Sequence, residues 1–382
     1  MDDQKLRVFI VDDTVVYRRI LSDVVEAMND VVLVGTAPHG RLAIAKLEQT
    51  PADLVLLDVE MPEMDGLETL GELRRRFPDI SVVMISGSNQ GSAETTMRCM
   101  DLGALEFLRK PEGSDPEASR NELKEKLRPL MRHVQTRVNL HQGTGLPVEP
   151  VAARRVQAEP ARVRAPQPAP APRPGRMGPI PGRIDVVAIG VSTGGPNALA
   201  EVIPRLPAGF PVPILLVQHM PPVFTASLAQ HLDQKSKVSV HEARDGEPVL
   251  PGCVYLAPGG KHMVIRRLPD SEDGASAPII GLNENPLENS CRPSVDVLFR
   301  SVAAHYDGNM LAVVMTGMGN DGCEGVRAMK RRGCLCLTQG EASCIVYGMP
   351  LAVDEAELSD EQVPLDRLAD RITRLVRKGR GN

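Results

Sequence analysis

Between residues 147 and 181, prolines stand at 147, 150, 160, 166, 168, 170, 172, 174, 179 and 181. Ala, Arg and Gly fill the gaps, and hydrophobic periodicity is lost from about Gln135 to Gly182. Such a stretch cannot bury a core and favours extended, polyproline-like backbone. It therefore divides the chain of 382 residues into two folding units, the number expected for this length. The expected boundaries are residues 1–134 and 183–382, with a flexible linker over 135–182. The linker arginines (154, 155, 162, 164, 173 and 176) could dock an acidic partner, but a solvated tether is the simpler reading.

Before the linker, apolar runs at Val8–Val11, Val31–Val34, Leu54–Leu57, Val82–Ile85 and Ala104–Leu108 read as five short strands. Helix-period stretches such as Val15–Met28, Gly40–Glu48 and Leu67–Arg76 separate them. Alternation of this kind predicts a parallel sheet with helices on both faces. Polar residues fall at the strand ends: Asp12 and Asp13, then Asp58, Ser86 and Lys110-Pro111. Carboxyl ends of parallel strands share one edge, so three acids, a hydroxyl and a lysine meet in one cleft. Clustered carboxylates repel unless a hard cation joins them, and oxygen donors suit Mg²⁺. A carboxylate left free can attack a phosphoryl group, with Lys110 compensating charge. Singly, each Asp reads as a loop cap or solvated charge.

After the linker, Ile184–Ala198 (IDVVAIGVSTGGPNA) passes from a β-branched run into a Gly-rich turn and then an amphipathic run. Strand, tight turn and helix is the setting in which Gly-x-Ser-x-Gly presents a nucleophile, here Ser192. The same turn could cradle a phosphate on free helix N–H groups, or be a turn and nothing more. Two further buried strands are predicted, Val212–Val217 and Leu311–Met315. His219 follows the first, and Thr316-Gly317-Met318-Gly319-Asn320-Asp321-Gly322 follows the second. If these strands are neighbours, Ser192, His219 and Asp321 converge. A serine hydroxyl needs a base, the base needs an orienting carboxylate, and the oxyanion needs backbone N–H donors. The donors expected are those of Thr193 and Met318. His231, His241, His262 and His305 are the competing bases, and Asp321 could instead cap the helix expected over Cys323–Arg331. The order Ser, His, Asp differs from the Ser, Asp, His of α/β-hydrolases.

Bulk properties remove other classes. A net charge of -5, no Trp and few aromatics argue against nucleic-acid binding. Its acidic N-terminus enters a strand at once, unlike a signal peptide, and no apolar run approaches the ~20 residues of a membrane span. Seven cysteines show no CxxC pair, and Cys334 and Cys336 alternate with leucines in an apolar strand. Buried thiols in a reducing cytoplasm are expected.

Two resemblances sharpen the reading. VDDT, LLDVEMPEMDGLE, the Ser86 strand end and FLRKP resemble the receiver domain of bacterial response regulators. The resemblance implies phosphorylation at Asp58, Mg²⁺ held by Asp12, Asp13 and Asp58, and contacts from Ser86 and Lys110 to the phosphoryl group. GVSTGGPNAL, QHMPPVFTASLAQHL, VYLAPGGKHM, CRPSVDVLF, TGMGNDG and YGMP resemble the catalytic domain of chemotaxis protein-glutamate methylesterases. That implies two doubly wound parallel-sheet domains, a flavodoxin-like receiver and a Rossmann-like esterase. It also implies hydrolysis of glutamyl methyl esters, and deamidation of glutamines, on methyl-accepting chemotaxis receptors. The nucleophile, base and acid fall on Ser192, His219 and Asp321, with Thr193 and Met318 at the oxyanion hole and His262 lining the site. The esterase needs no cofactor, and the implied phosphodonor is a chemotaxis histidine kinase acting on a monomer. Thr14 and Val191 depart from the usual Ser and Ala, and the linker is long for the family. A response regulator whose second domain binds a nucleotide or phosphate without catalysis is the alternative; a DNA-binding one lacks a short basic helix-turn-helix unit.

Overall fold

The computed structural model describes residues 5–87, 89–111, 115–144, 182–267, 278–306 and 309–378. In the first unit strands and helices alternate: β1 (Leu6–Val11), α1 (Val15–Glu26), β2 (Val31–Ala37), α2 (Gly40–Leu47) and β3 (Leu54–Asp58). They continue with α3 (Gly66–Arg76), β4 (Ser81–Ser86), α4 (Gln90–Asp101), β5 (Glu106–Arg109) and α5 (Pro116–Thr144). The strands pair in parallel in the order β2-β1-β3-β4-β5. β3 and β4 are buried on both faces, as apolar runs covered by helices must be. All five expected strands are present.

α5 runs past the boundary expected at residue 134 and continues to Thr144. Met131 and Val134 pack into the core of the first unit, and past them Val138 is partly buried against it. The rest of the expected linker, 145–181, lies outside the described residues.

The second unit comprises β6 (Val186–Val191), α6 (Gly195–Val202), β7 (Ile214–Gln218), α7 (Pro222–Lys235), β8 (Ser239–Glu242) and β9 (Cys253–Leu256). It goes on through β10 (His262–Arg267), β11 (Pro278–Asn283), α8 (Val295–His305), β12 (Met310–Val314) and α9 (Cys323–Lys330). It closes with β13 (Leu335–Gln339), α10 (Met349–Glu355), β14 (Glu361–Val363) and α11 (Leu365–Arg377). Seven strands pair in parallel in the order β14-β13-β12-β6-β7-β9-β8. β10 and β11 form a separate antiparallel pair, which the sequence reading did not include. The chain enters at β6, builds outward through β7 and β9, then returns to the other flank of β6 at β12. β6 is thus the topological switch point, where open α/β sheets bind ligands beyond the carboxyl ends. Val186 to Val191 are entirely buried, and each such aliphatic side chain contributes about 1.5–3 kcal/mol by leaving water.

The two units pack against each other through α4 and β5 on one side and α6 and α7 on the other. Phe107 stacks on Phe224 with ring centroids 4.8 Å apart and planes 15° apart. Asn197 Nδ2 donates to the carbonyls of Ala104 (3.0 Å) and Leu105 (3.1 Å). Asp101 pairs with His231 at 2.8 Å and also with Lys235. No helix among the described residues is long and apolar enough to cross a membrane.

Candidate active site

The carboxyl ends of β12, β6 and β7 are laced together before any side chain is considered. Ser192 N donates to Thr316 O at 3.0 Å, His219 N to Val191 O at 3.2 Å, and Met315 N to Gly190 O at 2.9 Å. The residue after each of these three strands is therefore fixed relative to the others. Left-handed backbone at Gly194 (φ 79°) turns the chain into α6, a conformation that glycine adopts without strain. Gln218 Nε2 holds Ser192 O at 2.9 Å, and Thr316 Oγ1 holds Thr193 O at 2.8 Å.

His219 Nε2 lies 2.8 Å from Asp321 Oδ2. Asp321 is almost fully enclosed, and its oxygens accept a dense set of donors. Oδ1 takes Ser294 Oγ (2.9 Å), Asp296 N (3.0 Å) and Asn289 Nδ2 (2.7 Å), and Oδ2 takes Val295 N (2.7 Å). Two of these donors are backbone N–H groups at the start of α8, where the helix dipole favours an anion. Burial works to raise the Asp321 carboxyl, but the bond and charge of His219, then these N–H groups, hold it well below the usual carboxylate range. Burial likewise works to lower His219, and Asp321 and Cys291 outweigh it, pushing the ring up to about 9. The second ring nitrogen, Nδ1, faces Cys291 Sγ at 3.6 Å. Among the described residues no hydrogen bond joins Ser192 Oγ to the ring, although both side chains belong to one cleft.

That cleft is about 760 Å³ and runs between the two units. Ser192, Thr193, His219, Cys291 and the exposed Met318 line one wall, and Glu106 to Pro111 with Glu122 of the first unit line the other. His262 does not line it, which corrects the expectation. It is buried, its Nε2 donating to Pro286 O at 3.0 Å and its Nδ1 accepting Ser294 N at 3.2 Å. Both ring nitrogens serve the backbone behind Asp321. Of the competing bases, His231 pairs with Asp101, His241 with Glu247, and His305 with the carbonyl of Ser301.

At the carboxyl edge of the first sheet, Asp12, Asp13 and Asp58 offer carboxylate oxygens all within 4.8 Å of one another. Asp12 and Asp58 are buried, and Lys110 Nζ spans them at 2.8 and 2.7 Å. Burial pushes the Asp58 carboxyl up to about 6, with the Asp12 charge adding and Lys110 opposing. Ser86 stands at the same edge, but its hydroxyl pairs with Thr96 Oγ1 on α4 at 2.8 Å. This oxygen set fits a hard divalent cation, with Lys110 filling the same role of charge compensation.

Sequence reading passed over Glu106. Its buried carboxylate accepts Phe107 N at 2.9 Å with one oxygen and, across the interface, Gly194 N with the other. Burial pushes it up to about 7, the two N–H groups opposing. Cys291 and Asn289 were also missed. They sit in an irregular segment with no periodicity to mark it.

Residues 187–372 match the family model described as CheB methylesterase, and residues 8–122 match that of the response regulator receiver domain. A Desulfotalea psychrophila protein named protein-glutamate methylesterase/protein-glutamine glutaminase is 40% identical, covering 98% of this chain and 99% of its own. One of the same name from Trichodesmium erythraeum is 39% identical, covering 97% and 99%. The crystal structure of the Thermotoga maritima CheB methylesterase catalytic domain is 39% identical and covers 50% of this chain and 99% of that one, with a TM-score of 0.48.

Proposed function

The chain belongs to the protein-glutamate methylesterase/protein-glutamine glutaminase family, and from that premise we propose that it is a serine hydrolase acting on methyl-accepting chemotaxis receptors. It cleaves glutamyl methyl esters to glutamate and methanol, and glutamine side chains to glutamate and ammonia. The observation that supports this is that Ser192 and His219, directly after the adjacent strands β6 and β7, line one cleft, with Asp321 hydrogen-bonded to His219 behind it. Ser192 Oγ attacks the ester carbonyl while His219 takes its proton through Nδ1, the nitrogen Asp321 leaves free. Asp321 stabilises the imidazolium. N–H groups of Thr193 and Met318 receive the oxyanion. His219 returns the proton to the departing methoxide, and water then hydrolyses the acyl-enzyme by the same relay. A non-catalytic anion-binding role for the turn would leave His219 and Asp321 without a task, and it is set aside.

The receiver governs access. A chemotaxis histidine kinase phosphorylates Asp58, with Asp12 and Asp13 completing the ligand set for Mg²⁺, which neutralises charge on the phosphoryl group when bound. Lys110 then pairs with the phosphoryl oxygens, and Ser86 leaves Thr96 to join it. Lys110 closes the strand that carries Glu106 and Phe107, so the repacking is passed to the interface. We assign residues up to Thr144 to the receiver and those from about 183 to the esterase. Replacing Ser192 by Ala abolishes methanol release from methylated receptor fragments with an unchanged melting temperature; an unchanged rate would remove Ser192 as nucleophile.

A further inference from the structure

A two-residue turn on the rim of the cleft has no task in the account above. Glu288 N donates to Cys291 O at 3.1 Å and Cys291 N to Glu288 O at 2.9 Å. Between them Asn289 (φ 53°) and Ser290 (φ 61°) both have left-handed backbone. This is type I′ geometry, which Asn tolerates and Ser adopts only under constraint. Such backbone persists where its surroundings over-determine it, and it concentrates at functional sites.

The turn delivers one amide nitrogen to two buried acids. Asn289 Nδ2 donates to Asp321 Oδ1 at 2.7 Å and to Asp296 Oδ2 at 2.8 Å. Carboxylates this close repel each other. The other oxygen of Asp296 is already occupied by Gly322 N at 3.0 Å and Gly325 N at 2.5 Å. The remaining charged or titratable neighbours do not stand between the two acids. Arg300 is bound to Glu288, Cys291 faces the far nitrogen of His219, and His262 lies behind Ser294. Burial, with the Asp321 charge next among the raising influences, pushes the Asp296 carboxyl up, as expected of a crowded pair. The amide can face them only nitrogen first, since its oxygen would add to the repulsion.

Resting on the reading of His219 and Asp321 given above, we propose that Asn289 is a positioning residue of the esterase, bridging Asp321 and Asp296 so that Asp321 Oδ2 stays turned to His219. The test uses the full chain and methanol release from methylated receptor fragments, followed against pH. Asn289→Gly keeps the turn backbone and removes the amide. It lowers kcat about tenfold, the usual scale for a lost bond to a charged group, and leaves KM unchanged. It also moves the rising limb of the pH profile to higher pH, because a carboxylate stripped of a donor holds the imidazolium proton more tightly.

Asn289→Asp is equally at home in left-handed backbone but sets a third carboxylate between the two, and it is less active than Asn289→Gly. Adding Asp296→Asn to Asn289→Gly supplies a new amide to Asp321 and restores most of kcat and the position of the limb. Wild-type kcat and limb in Asn289→Gly, an Asn289→Asp variant as active as wild type, or no recovery in the double variant would each overturn the proposal. Ser192→Ala and Asp321→Asn are measured alongside. If they keep full activity, the catalytic reading itself has failed; if they lose it while Asn289→Gly does not, only the role of Asn289 has.

Discussion

In the proposed mechanism His219 is the residue on which the chemistry turns, because only its neutral form can take the serine proton. Held at about 9 by Asp321 and Cys291 against the effect of burial, it is largely charged at neutral pH. The rate constant kcat/KM, which reports the free enzyme, therefore climbs through the alkaline range with a midpoint near 9. Cys291→Ala removes one of the influences that raise the ring, so its limb moves to lower pH; an unmoved limb would show that the thiol does not act on His219. Stability follows the opposite course. A pKa raised above its ordinary 6.5 contributes stability in full below that value and loses it as pH climbs through about 9. Ser192 and His219 were singled out in the sequence because each directly follows a buried apolar strand, and Asp321 because it sits in the Gly-rich loop after β12. Asn289 and Cys291 were not, since a type I′ turn without glycine leaves no signal in the sequence. Glu106 was hidden for another reason: it occupies a strand position where only the partner domain explains a buried acid.

At the scale of elements, β6 packs against α8, the helix whose first N–H groups hold Asp321. Gly190, near the end of β6, faces Val295, whose N–H holds Asp321. A Cβ at Gly190 would lie 2.3 and 2.8 Å from the two γ carbons of Val295. Gly190→Ala therefore costs about 1–3 kcal/mol by overpacking and lowers the melting temperature by several degrees. Adding Val295→Ala relieves the clash and recovers part of that loss. A Gly190→Ala protein as stable as wild type, measured by thermal unfolding, would mean that β6 and α8 are free to separate. The five strands of the first sheet, and β6, β7, β12 and β13 of the second, were readable because parallel strands covered by helices are continuous apolar runs. The end of α5 was not, because past Val134 Val138 is only partly buried and Leu140 is exposed. The β10–β11 pair escaped notice because it stands apart from the main sheet and is only partly buried, so it is not a continuous apolar run.

At the scale of the whole molecule, the receiver closes one wall of the cleft, and Glu106 is its most direct contact with the nucleophile turn. Glu106→Ala removes the bond to Gly194 and leaves that N–H unpaired in the closed form, raising methanol release in the absence of a phosphodonor. Protonation acts in the same direction as closure. The carboxyl is raised from its ordinary 4.5 to about 7 only while buried, so the closed form gains as pH falls through 7, and unstimulated release rises above it. A Glu106→Ala protein with unaltered basal release would deny the contact any part in closure. The surface on which the units meet was not legible in the sequence, because α4, β5, α6 and α7 carry no mark of pairing until both domains are folded. The measurement that bears most directly on this account is methanol release from methylated receptor fragments by the full chain, before and after a small phosphodonor. Release that rises with the phosphodonor, fails to rise in Asp58→Asn and vanishes in Ser192→Ala is the predicted result. Stimulation that survives in Asp58→Asn, or no release from a folded protein under either condition, would contradict it.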